Sequence, residues 1–204
     1  MKILGLTGGI GTGKSTAAAM LRRMGVAVFD ADAQVHRLLG PGGAAVHEVA
    51  KAFPDAVKAG AIDRASLGAT AFADPAALKR LEAILHPRVR AQGRLFLKTQ
   101  RARRARVAVL DIPLLYETGQ DRRCDAVAVV WAPAFLQRAR VLSRPGMSRE
   151  RLASILARQM PIQAKRRRAD FAVPSGLGRA VTWRALARCL ERLHACGDES
   201  GGAE

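Results

Sequence analysis

Residues 5–25, GLTGGIGTGKSTAAAMLRRMG, decide the fold. Five glycines precede Lys14, and the residues that follow are mostly alanine, leucine and methionine, which favour a helix. Gly8, Gly13, Lys14 and Ser15 fit the pattern G-x-x-x-x-G-K-[ST]. Glycines let such a loop curl so that successive backbone N–H groups point inward at phosphate oxygens. The stretch therefore predicts a phosphate-binding loop that opens an amphipathic helix.

The context of the loop supports this prediction over the alternative of a glycine turn without a ligand. An apolar strand-like segment precedes the loop and a helical segment follows it, as the motif requires. The helix N-terminus adds free N–H donors, Lys14 can reach the β- and γ-phosphates, and Ser15 can offer its hydroxyl to Mg²⁺. We expect these residues to bind the phosphates of a nucleotide: Gly8, Gly11, Thr12, Gly13, Lys14, Ser15 and Thr16.

Composition limits the class of protein. A chain of 204 residues that is 49% hydrophobic can form one α/β domain with a smaller inserted subdomain. Neither a run of about 18 apolar residues nor a signal-peptide pattern is present in the sequence. Cys124, Cys189 and Cys196 are odd in number and lack C-x-x-C spacing, which argues against a disulfide framework or a cysteine zinc site. We therefore expect a cytoplasmic protein without a membrane span.

The formal net charge of +17 allows three interpretations. The partner could be a nucleic acid, the ligands could be small polyanions such as nucleotides, or arginine could simply be frequent throughout the chain. The densest basic runs, at 101–106 and 165–168, are short and flank apolar segments. This pattern favours small polyanions over a nucleic-acid partner.

Short runs rich in valine, isoleucine and leucine predict the strands of a sheet that is buried on both faces. Helical segments separate them, which predicts a five-stranded parallel sheet built from right-handed β-α-β units. The predicted strands are 2–7, 26–31, 106–112, 125–132 and, more weakly, 170–173. The first helix is predicted over about 14–24, with Gly25 as a left-handed C-terminal cap.

Two helical segments are predicted outside this sheet. Residues 36–100 have the periodicity of a helical insertion, in which Pro87 permits a break or a new first turn. Residues of about 134–168 form an arginine-rich excursion that is predicted to be a lid. The core is then expected to comprise 1–35 and 101–204, of which the small polar tail 197–204 is predicted to be disordered.

Three aspartates follow predicted strands, at the sheet edge where ligands bind in parallel α/β folds. Asp30 and Asp32 share a side-chain parity if the second strand continues that far, so both are predicted to face one cleft. A carboxylate there is suited to act as general base or to organise Mg²⁺, although the alternative is solvated loop aspartates, one of which caps the next helix. Asp111 ends the third strand in VAVLD, the Walker-B arrangement, and is predicted to bind Mg²⁺ with Ser15.

The predicted lid carries many arginines, most of which we expect to face water. Two or three of them are suited to neutralise a transferring phosphoryl group. The candidates are Arg138, Arg140, Arg144, Arg149, Arg151 and Arg158. The four histidines show no metal-ligand spacing, so core or surface positions are expected for His36, His47, His86 and His194.

Several motifs in this chain occur in the order typical of one family. They are GLTGGIGTGKST, FDAD followed by VHRLL, LEAILHPRVR, DIPLLYE, QRARVLSRPGMS, RQM and KRRRADF. Over residues 3–173 the chain resembles the dephospho-CoA kinases. The resemblance implies a P-loop kinase core with a helical CoA-binding domain and a lid. It also implies transfer of the γ-phosphoryl of ATP to the ribose 3′-hydroxyl of dephospho-CoA, the last step of coenzyme A synthesis.

The resemblance also implies roles for single residues. Asp32 matches the proposed base of the family and the loop 11–16 matches its ATP site. Arg140 and Arg144 match lid positions near the phosphates. His86, Asp30 and Leu115 fall in segments that the resemblance associates with the acceptor substrate.

One segment departs from the family pattern. After ADF the family continues with VIxN or VIxT, whereas this chain has AVPSGLG, with Pro174 and Ser175. That region lies near the adenine in related kinases, so the departure concerns contacts to the base and leaves the phosphoryl-transfer residues untouched.

Two rival functions remain at this point. One is another small-molecule P-loop kinase that acts on nucleosides or nucleotides, against which HPRVR and DIPLLYE argue. The other is a nucleic-acid-associated ATPase or GTPase, although the chain lacks an N-K-x-D guanine-recognition motif. The favoured prediction is an enzyme with ATP and dephospho-CoA as substrates and Mg²⁺ as cofactor, as a monomer or small homo-oligomer.

Overall fold

A computed structural model gives the structure of the protein and describes residues 1–58 and 61–198. Its strands are β1 (Lys2–Gly8), β2 (Ala27–Asp30), β3 (Val57–Lys58), β4 (Ala61–Ile62), β5 (Val107–Asp111), β6 (Ala126–Trp131) and β7 (Phe171–Pro174). Its α-helices are α1 (Lys14–Arg23), α2 (Ala31–Leu39), α3 (Val46–Ala52), α4 (Arg64–Ala73), α5 (Pro75–Ala102), α6 (Ala134–Leu142), α7 (Arg149–Ala157), α8 (Ile162–Arg168) and α9 (Arg179–Asp198). Short 3₁₀ helices span Pro54–Ala56 and Gln120–Arg123.

The predicted α/β class is confirmed. Among the described residues, five strands form a parallel sheet in the order β2-β5-β1-β6-β7, and each predicted strand is present with bounds that differ by at most one residue. The central strand β1 pairs with β5 and β6, so that Leu6 lies opposite Asp111 on one side and Ala128 on the other. The carboxyl ends of β1 and β5 therefore lie side by side at one edge of the sheet.

The chain divides into two compact units. One comprises Met1–Phe29 and the chain from Gln100 onward, and the other is Asp30–Thr99. The first unit has an aliphatic core of strand and helix residues that includes Leu4, Leu6 and Leu186, none of which is exposed to solvent. Because aromatic residues make up only 4% of the chain, branched aliphatic side chains and alanines fill most of this core.

The second unit has its own core, in which side chains from several short helices meet around Val49, Leu67 and Ile84. It also contains a two-stranded antiparallel ribbon of β3 and β4, which the sequence did not predict. The strands of this ribbon have two residues each, too few to show an alternating pattern.

Pro87 neither breaks helix α5 nor starts a new helix, which corrects the sequence-based expectation. A proline inside a helix removes one backbone donor and disturbs the carbonyl groups of the preceding turn. Here the guanidinium of Arg88 donates a hydrogen bond to the Ile84 carbonyl oxygen at 2.8 Å and also pairs with Glu48. This side-chain donor stabilises the turn next to Pro87, while Ile84 and Leu85 bury the helix face on which they lie.

The C-terminal helix includes two residues of the predicted disordered tail. Helix α9 continues to Asp198, so Gly197 and Asp198 are helical and do not belong to the predicted disordered tail. The rest of that predicted tail, 199–204, lies outside the described residues.

Candidate active site

The phosphate-binding pattern forms a loop between β1 and α1. Gly8 is the last residue of β1, and Lys14 is the first residue of α1. The hydroxyl of Thr12 donates a hydrogen bond to the Gly9 carbonyl oxygen at 2.8 Å, and the Thr12 side chain is fully buried. The buried Thr12 side chain therefore stabilises the conformation of the loop.

Two glycines of the loop have backbone conformations that other residues adopt only at a cost. Gly11 has a φ of 73° and Gly13 a φ of 85°. A Cβ atom at Gly11 would also lie 2.5 Å from Cγ2 of Val141 in helix α6. The glycine pattern in the sequence thus reflects both the curl of the loop and its close approach to α6.

The N-terminus of α1 is open to an anion. Gly13 is its N-cap, and among the described residues no side chain caps this end of the helix. Ser15 and Thr16 are exposed in its first turn, where their hydroxyls and the free backbone N–H groups lie at the positive end of the helix dipole. This arrangement suits a phosphate group.

Lys14 and Asp111, which the sequence assigned to phosphate and metal, form a direct ion pair. Nζ of Lys14 lies 2.6 Å from Oδ1 of Asp111. The Asp111 side chain is 2% exposed and that of Lys14 is 14% exposed. A buried carboxylate is stable only when a cation or hydrogen-bond donors compensate its charge. In this structure Lys14 provides a compensating charge at the strand edge next to the loop.

A cavity of about 660 Å³ lies beside the phosphate loop. Its lining includes Gly13 and Thr16 from the loop and α1, Arg140 and Arg144 from the end of α6 and the turn after it, and Arg179 from the start of α9. No acidic side chain is among the described residues that line it. Three arginines around one cavity favour an anionic ligand, and the volume is large enough for a nucleotide.

Ser175, Gly176 and Gly178 also line the cavity, and Ser175 lies against Gly13; we call the segment 174–178 the Ser175 loop. The Arg140 guanidinium donates to the Ser175 hydroxyl oxygen at 3.1 Å and to the Ser175 carbonyl oxygen at 2.9 Å. The Ser175 hydroxyl in turn donates to the carbonyl oxygen of Thr12. Thr182 supports the other side of the loop by donating to the Pro174 carbonyl oxygen at 2.8 Å. Arg140 was predicted near the phosphates, and the structure places it between the Ser175 loop and the phosphate loop.

A buried lysine contacts the DIPLLYE segment, residues 111–117, and fixes its position. Lys165 has no exposed side-chain surface, and its Nζ contacts the Pro113 carbonyl oxygen at 3.0 Å and Oε1 of Glu117 at 2.9 Å. Glu117 also accepts a hydrogen bond from the backbone N–H of Met160 at 2.8 Å. Lys165 belongs to the basic run 165–168, and charged residues in such runs are usually exposed. The structure shows that its first residue instead holds the chain just after Asp111.

The two aspartates of FDAD have different positions. Strand β2 ends at Asp30, and Asp30 is the N-cap of α2, where Oδ1 accepts a hydrogen bond from the Ala33 N–H at 2.9 Å. Asp32 is exposed in the first turn of α2. The prediction of shared strand parity was therefore wrong, because the helix starts at Ala31 as soon as Asp30 can cap it.

The remaining predicted substrate residues differ in exposure. His86 is half-buried in α5. Leu115 is fully buried, with its Cδ2 atom 2.9 Å from the place of a Cβ atom at Gly5. The structure does not bring the Leu115 side chain to the site, and we assign it a packing role. Next to it, burial raises the pKa of Tyr116 to about 12, and its hydroxyl has no hydrogen-bond partner in the part of the chain that the structure describes.

Sequence reasoning missed four side chains that hold the site together: Gln137, Gln159, Lys165 and Thr182. Gln137 and Gln159 bind the backbone of the phosphate loop at Ile10, although both are far from it in the chain. Each is a polar residue on a helix or at a helix end, where exposure is the usual expectation. A local pattern carries no signal for these long-range hydrogen bonds.

Comparisons with known proteins agree with this geometry. Residues 2–176 match the family model described as CoaE, dephospho-CoA kinase. A dephospho-CoA kinase of Paramagnetospirillum magneticum is 66% identical over 166 residues, which cover 81% of this chain and 78% of that protein. The dephospho-CoA kinase of Rhodospirillum rubrum is 57% identical over 185 residues, or 90% of this chain and 88% of that protein.

Solved structures give the same result. The crystal structure of TT1252 from Thermus thermophilus has a TM-score of 0.79 and 38% identity, covering 95% of this chain and 96% of that one. The structure of dephospho-CoA kinase from Campylobacter jejuni has a TM-score of 0.67 and 26% identity, covering 96% and 98%. Together with the match over residues 2–176, these similarities show that the chain belongs to the dephospho-CoA kinase family.

Proposed function

We propose that this protein transfers the γ-phosphoryl group of ATP to the ribose 3′-hydroxyl of dephospho-CoA, which gives coenzyme A. The observation that carries this proposal is the family match over residues 2–176. The matched range contains the phosphate loop, the Lys14–Asp111 pair and Asp32. Membership of this kinase family also implies the use of ATP.

The donor half of the reaction belongs to the phosphate loop. We propose that the N–H groups at the N-terminus of α1 bind the ATP phosphates, with Ser15 and Thr16 in the same turn. Lys14 then exchanges its ion pair with Asp111 for contact with the β- and γ-phosphates. This exchange lets one cation stabilise the buried Asp111 carboxylate before ATP binds and the phosphate charge afterwards.

The residues around Asp111 fit a magnesium ion. Mg²⁺ prefers oxygen ligands, and the Asp111 carboxylate and the exposed Ser15 hydroxyl supply two kinds of oxygen in this part of the site. We propose that Ser15 and Asp111 hold Mg²⁺ directly or through water. When bound, the ion would neutralise charge on the β- and γ-phosphate oxygens.

For the acceptor, we propose that Asp32 takes the proton of the 3′-hydroxyl as it attacks. Its carboxylate is exposed in the first turn of the helix that directly follows β2. We further propose that 36–100 is the CoA-binding insertion, that 1–35 and 101–204 form the nucleotide-binding core, and that His86 and the chain at Asp30 contribute to acceptor binding.

Residues 134–168 are proposed to act as the lid. Arg140 and Arg144 line the cavity beside the phosphate loop, which supports a role for both in ATP binding. Arginine side chains here can offset the negative charge that the transferring group and both polyanionic substrates bring to the site. Binding of two polyanionic substrates would explain the high positive charge of the chain, and no nucleic-acid partner is needed to explain it.

An acceptor panel tests the proposed activity. Purified protein with ATP and Mg²⁺ is expected to release ADP when dephospho-CoA is added. It should not do so with coenzyme A, in which a phosphate already occupies the 3′-hydroxyl, nor with adenosine or AMP. Release of ADP with a nucleoside or nucleotide, together with none for dephospho-CoA, would assign the chain to a different kinase reaction.

The Asp32→Asn variant tests the proposed base. Removal of a general base typically lowers kcat by about 10²–10⁴-fold, and ATP affinity should stay near the wild-type value because the phosphate loop is unchanged. Glu191→Gln removes the same charge at an exposed position in α9, outside the proposed insertion and lid, and should leave kcat unchanged. A near-normal kcat for Asp32→Asn would show that another group accepts the proton.

We also propose a cytoplasmic location and a monomer or small homo-oligomer. Cys124 and Cys189, the cysteines whose side chains are described, are free thiols, which suits a reducing compartment. Within 1–58 and 61–198, the structure contains no helix that is long and apolar enough to cross a bilayer.

A further inference from the structure

Two glutamine side chains from other parts of the chain bind the backbone of one phosphate-loop residue, Ile10. The backbone N–H of Ile10 donates a hydrogen bond to Oε1 of Gln159 at 3.0 Å. The carbonyl oxygen of Ile10 accepts a hydrogen bond from Nε2 of Gln137 at 2.6 Å. We call this set of three residues the Ile10 clamp.

The Ile10 backbone determines the orientation of both glutamine amides. A backbone N–H only donates and a carbonyl oxygen only accepts, so Gln159 must present its oxygen and Gln137 its nitrogen. Gln137 is 7% exposed in the first turn of α6, where an amide without a partner would be costly. Gly9 leaves space for this contact, because a Cβ atom there would lie 3.0 Å from Nε2 of Gln137.

The two glutamines lie in different parts of the predicted lid. Gln137 lies at the start of α6, and Gln159 lies between α7 and α8. Gln159 is itself fixed in place, since the next residue, Met160, donates its N–H to Glu117, which is paired with the buried Lys165. These two parts of the lid are therefore joined to the phosphate loop and to the chain after Asp111 through hydrogen bonds.

The clamp fixes the direction of the peptide group between Ile10 and Gly11. A trans peptide is planar, and its C=O and N–H groups point in opposite directions. With the Ile10 carbonyl oxygen bonded to Gln137, the N–H of Gly11 must point away from α6. Donors that are fixed before the ligand arrives stabilise charge without a reorganisation cost.

We propose that Gln137 and Gln159 are positioning residues that hold the Ile10–Gly11 part of the loop ready for the ATP phosphates before nucleotide binds. They act through the loop backbone and not by contact with the substrate. This inference rests on the proposed function for its kinetic consequences, whereas the order of the loop without ligand can be measured independently. Loss of either hydrogen bond is expected to weaken ATP binding and to leave the KM for dephospho-CoA unchanged.

The direction of the hydrogen bonds gives a matched pair of variants. Gln137→Glu and Gln159→Glu each add one negative charge beside the same residue. A carboxylate at 159 still accepts from the Ile10 N–H, but an ionised carboxylate at 137 cannot donate to the Ile10 carbonyl oxygen. We expect Gln137→Glu to lower kcat/KM for ATP by about tenfold more than Gln159→Glu, since an unsatisfied buried group is left behind. Equal losses in the two variants would overturn the proposal.

Amide hydrogen exchange followed by NMR tests the clamp in the ligand-free protein. In Gln159→Leu the Ile10 amide is expected to exchange at least about tenfold faster than in the wild type, because its acceptor is gone. Gln163→Leu, at an exposed glutamine in α8, is the control for this measurement and should leave the exchange of the Ile10 amide unchanged. Unchanged Ile10 exchange in Gln159→Leu would overturn the clamp. A wild-type enzyme that fails to phosphorylate dephospho-CoA would overturn only the proposed function, because the exchange result does not depend on it.

Discussion

The phosphate loop and the Ser175 loop line the same cavity, but they are determined in different ways. The curl of the phosphate loop comes from glycines with positive φ and from the Thr12–Gly9 hydrogen bond, all within eight residues of sequence, and the long-range Ile10 clamp adds to this local structure. The Ser175 loop takes its position from Arg140, 35 residues earlier in the chain, and from Thr182 in the next helix.

This difference explains why one loop is visible in the sequence and the other is not. An unusual backbone conformation can be recognised in the local sequence, because only certain residues, chiefly glycine, tolerate it. A hydrogen bond from a distant side chain cannot be recognised in this way, because arginine and threonine are also common at exposed positions without such a role. We therefore expect substitutions in the phosphate loop to impair chemistry and folding strongly, and substitutions around the Ser175 loop to change mainly nucleotide affinity.

The largest effect is expected from Lys14→Arg. The substitution keeps a positive charge opposite the buried Asp111 carboxylate but moves the donor atoms, so the melting temperature should change little. Because Lys14 is proposed to contact the transferring group, kcat should fall by about 10²–10³-fold. Steady-state kinetics and thermal unfolding measure both quantities, and a kcat within about threefold of the wild type would remove Lys14 from the transfer step.

Gly11→Ala is expected to lower both stability and activity, with Gly146→Ala as its matched control. Both glycines have φ near 70°, but a Cβ atom at Gly146 has nothing within 4 Å. The backbone penalty of about 1–2 kcal/mol is therefore common to both. At Gly11 the contact with Val141 should cost about 1–3 kcal/mol more, and the displaced loop should lower kcat/KM for ATP by about 10²-fold. Equal unfolding free energies for the two variants would show that the loop has room for a side chain.

Arg140→Ala should raise the KM for ATP by about tenfold, since it removes two hydrogen bonds that involve a charged donor. Its effect on kcat should be smaller if the main task of Arg140 is to hold the Ser175 loop. Arg184→Ala, at an exposed position in α9 outside the proposed lid, is the control and should change neither constant. A larger change in kcat than in KM would place Arg140 at the transferring phosphoryl group instead.

Thr182→Val is expected to have the smallest effect. The substitution keeps the shape of the side chain and removes the hydroxyl that donates to the Pro174 carbonyl oxygen. The unfolding free energy should fall by about 1 kcal/mol, and the KM for ATP should rise by about two- to threefold. Thr99→Val, at an exposed threonine in α5, makes the same change without an effect on ATP binding. An unchanged KM for Thr182→Val would mean that the Ser175 loop does not depend on this tether.

The sheet was predictable because its three central strands, β5, β1 and β6, are buried on both faces. Uninterrupted apolar runs such as VAVLD and AVAVVW predict strands with little ambiguity, and the glycine loop before α1 fixes which edge carries the site. Gly25 was also predictable, since the chain leaves α1 there with a φ of 81°.

Other features depend on tertiary contacts. Helix α5 continues past Pro87, where the Arg88 side chain bonds the Ile84 carbonyl oxygen, and Leu115 packs where Gly5 has no side chain. The sequence predicted separate roles for Lys14 and Asp111, in phosphate and metal binding, and did not predict their ion pair. That pair follows from the strand order, which puts the ends of β1 and β5 side by side. Lys165 shows that a basic run can include a fully buried charge when a carboxylate and a carbonyl oxygen are at hand.

The central claim is that this site phosphorylates the ribose 3′-hydroxyl of dephospho-CoA. The most direct test is to determine, by phosphorus–proton correlation NMR, where the new phosphate is attached after reaction with ATP and Mg²⁺. A phosphomonoester on the ribose 3′-carbon is expected, with one ADP formed for each product. A phosphate on any other hydroxyl, or ADP formed without a phosphorylated acceptor, would contradict it.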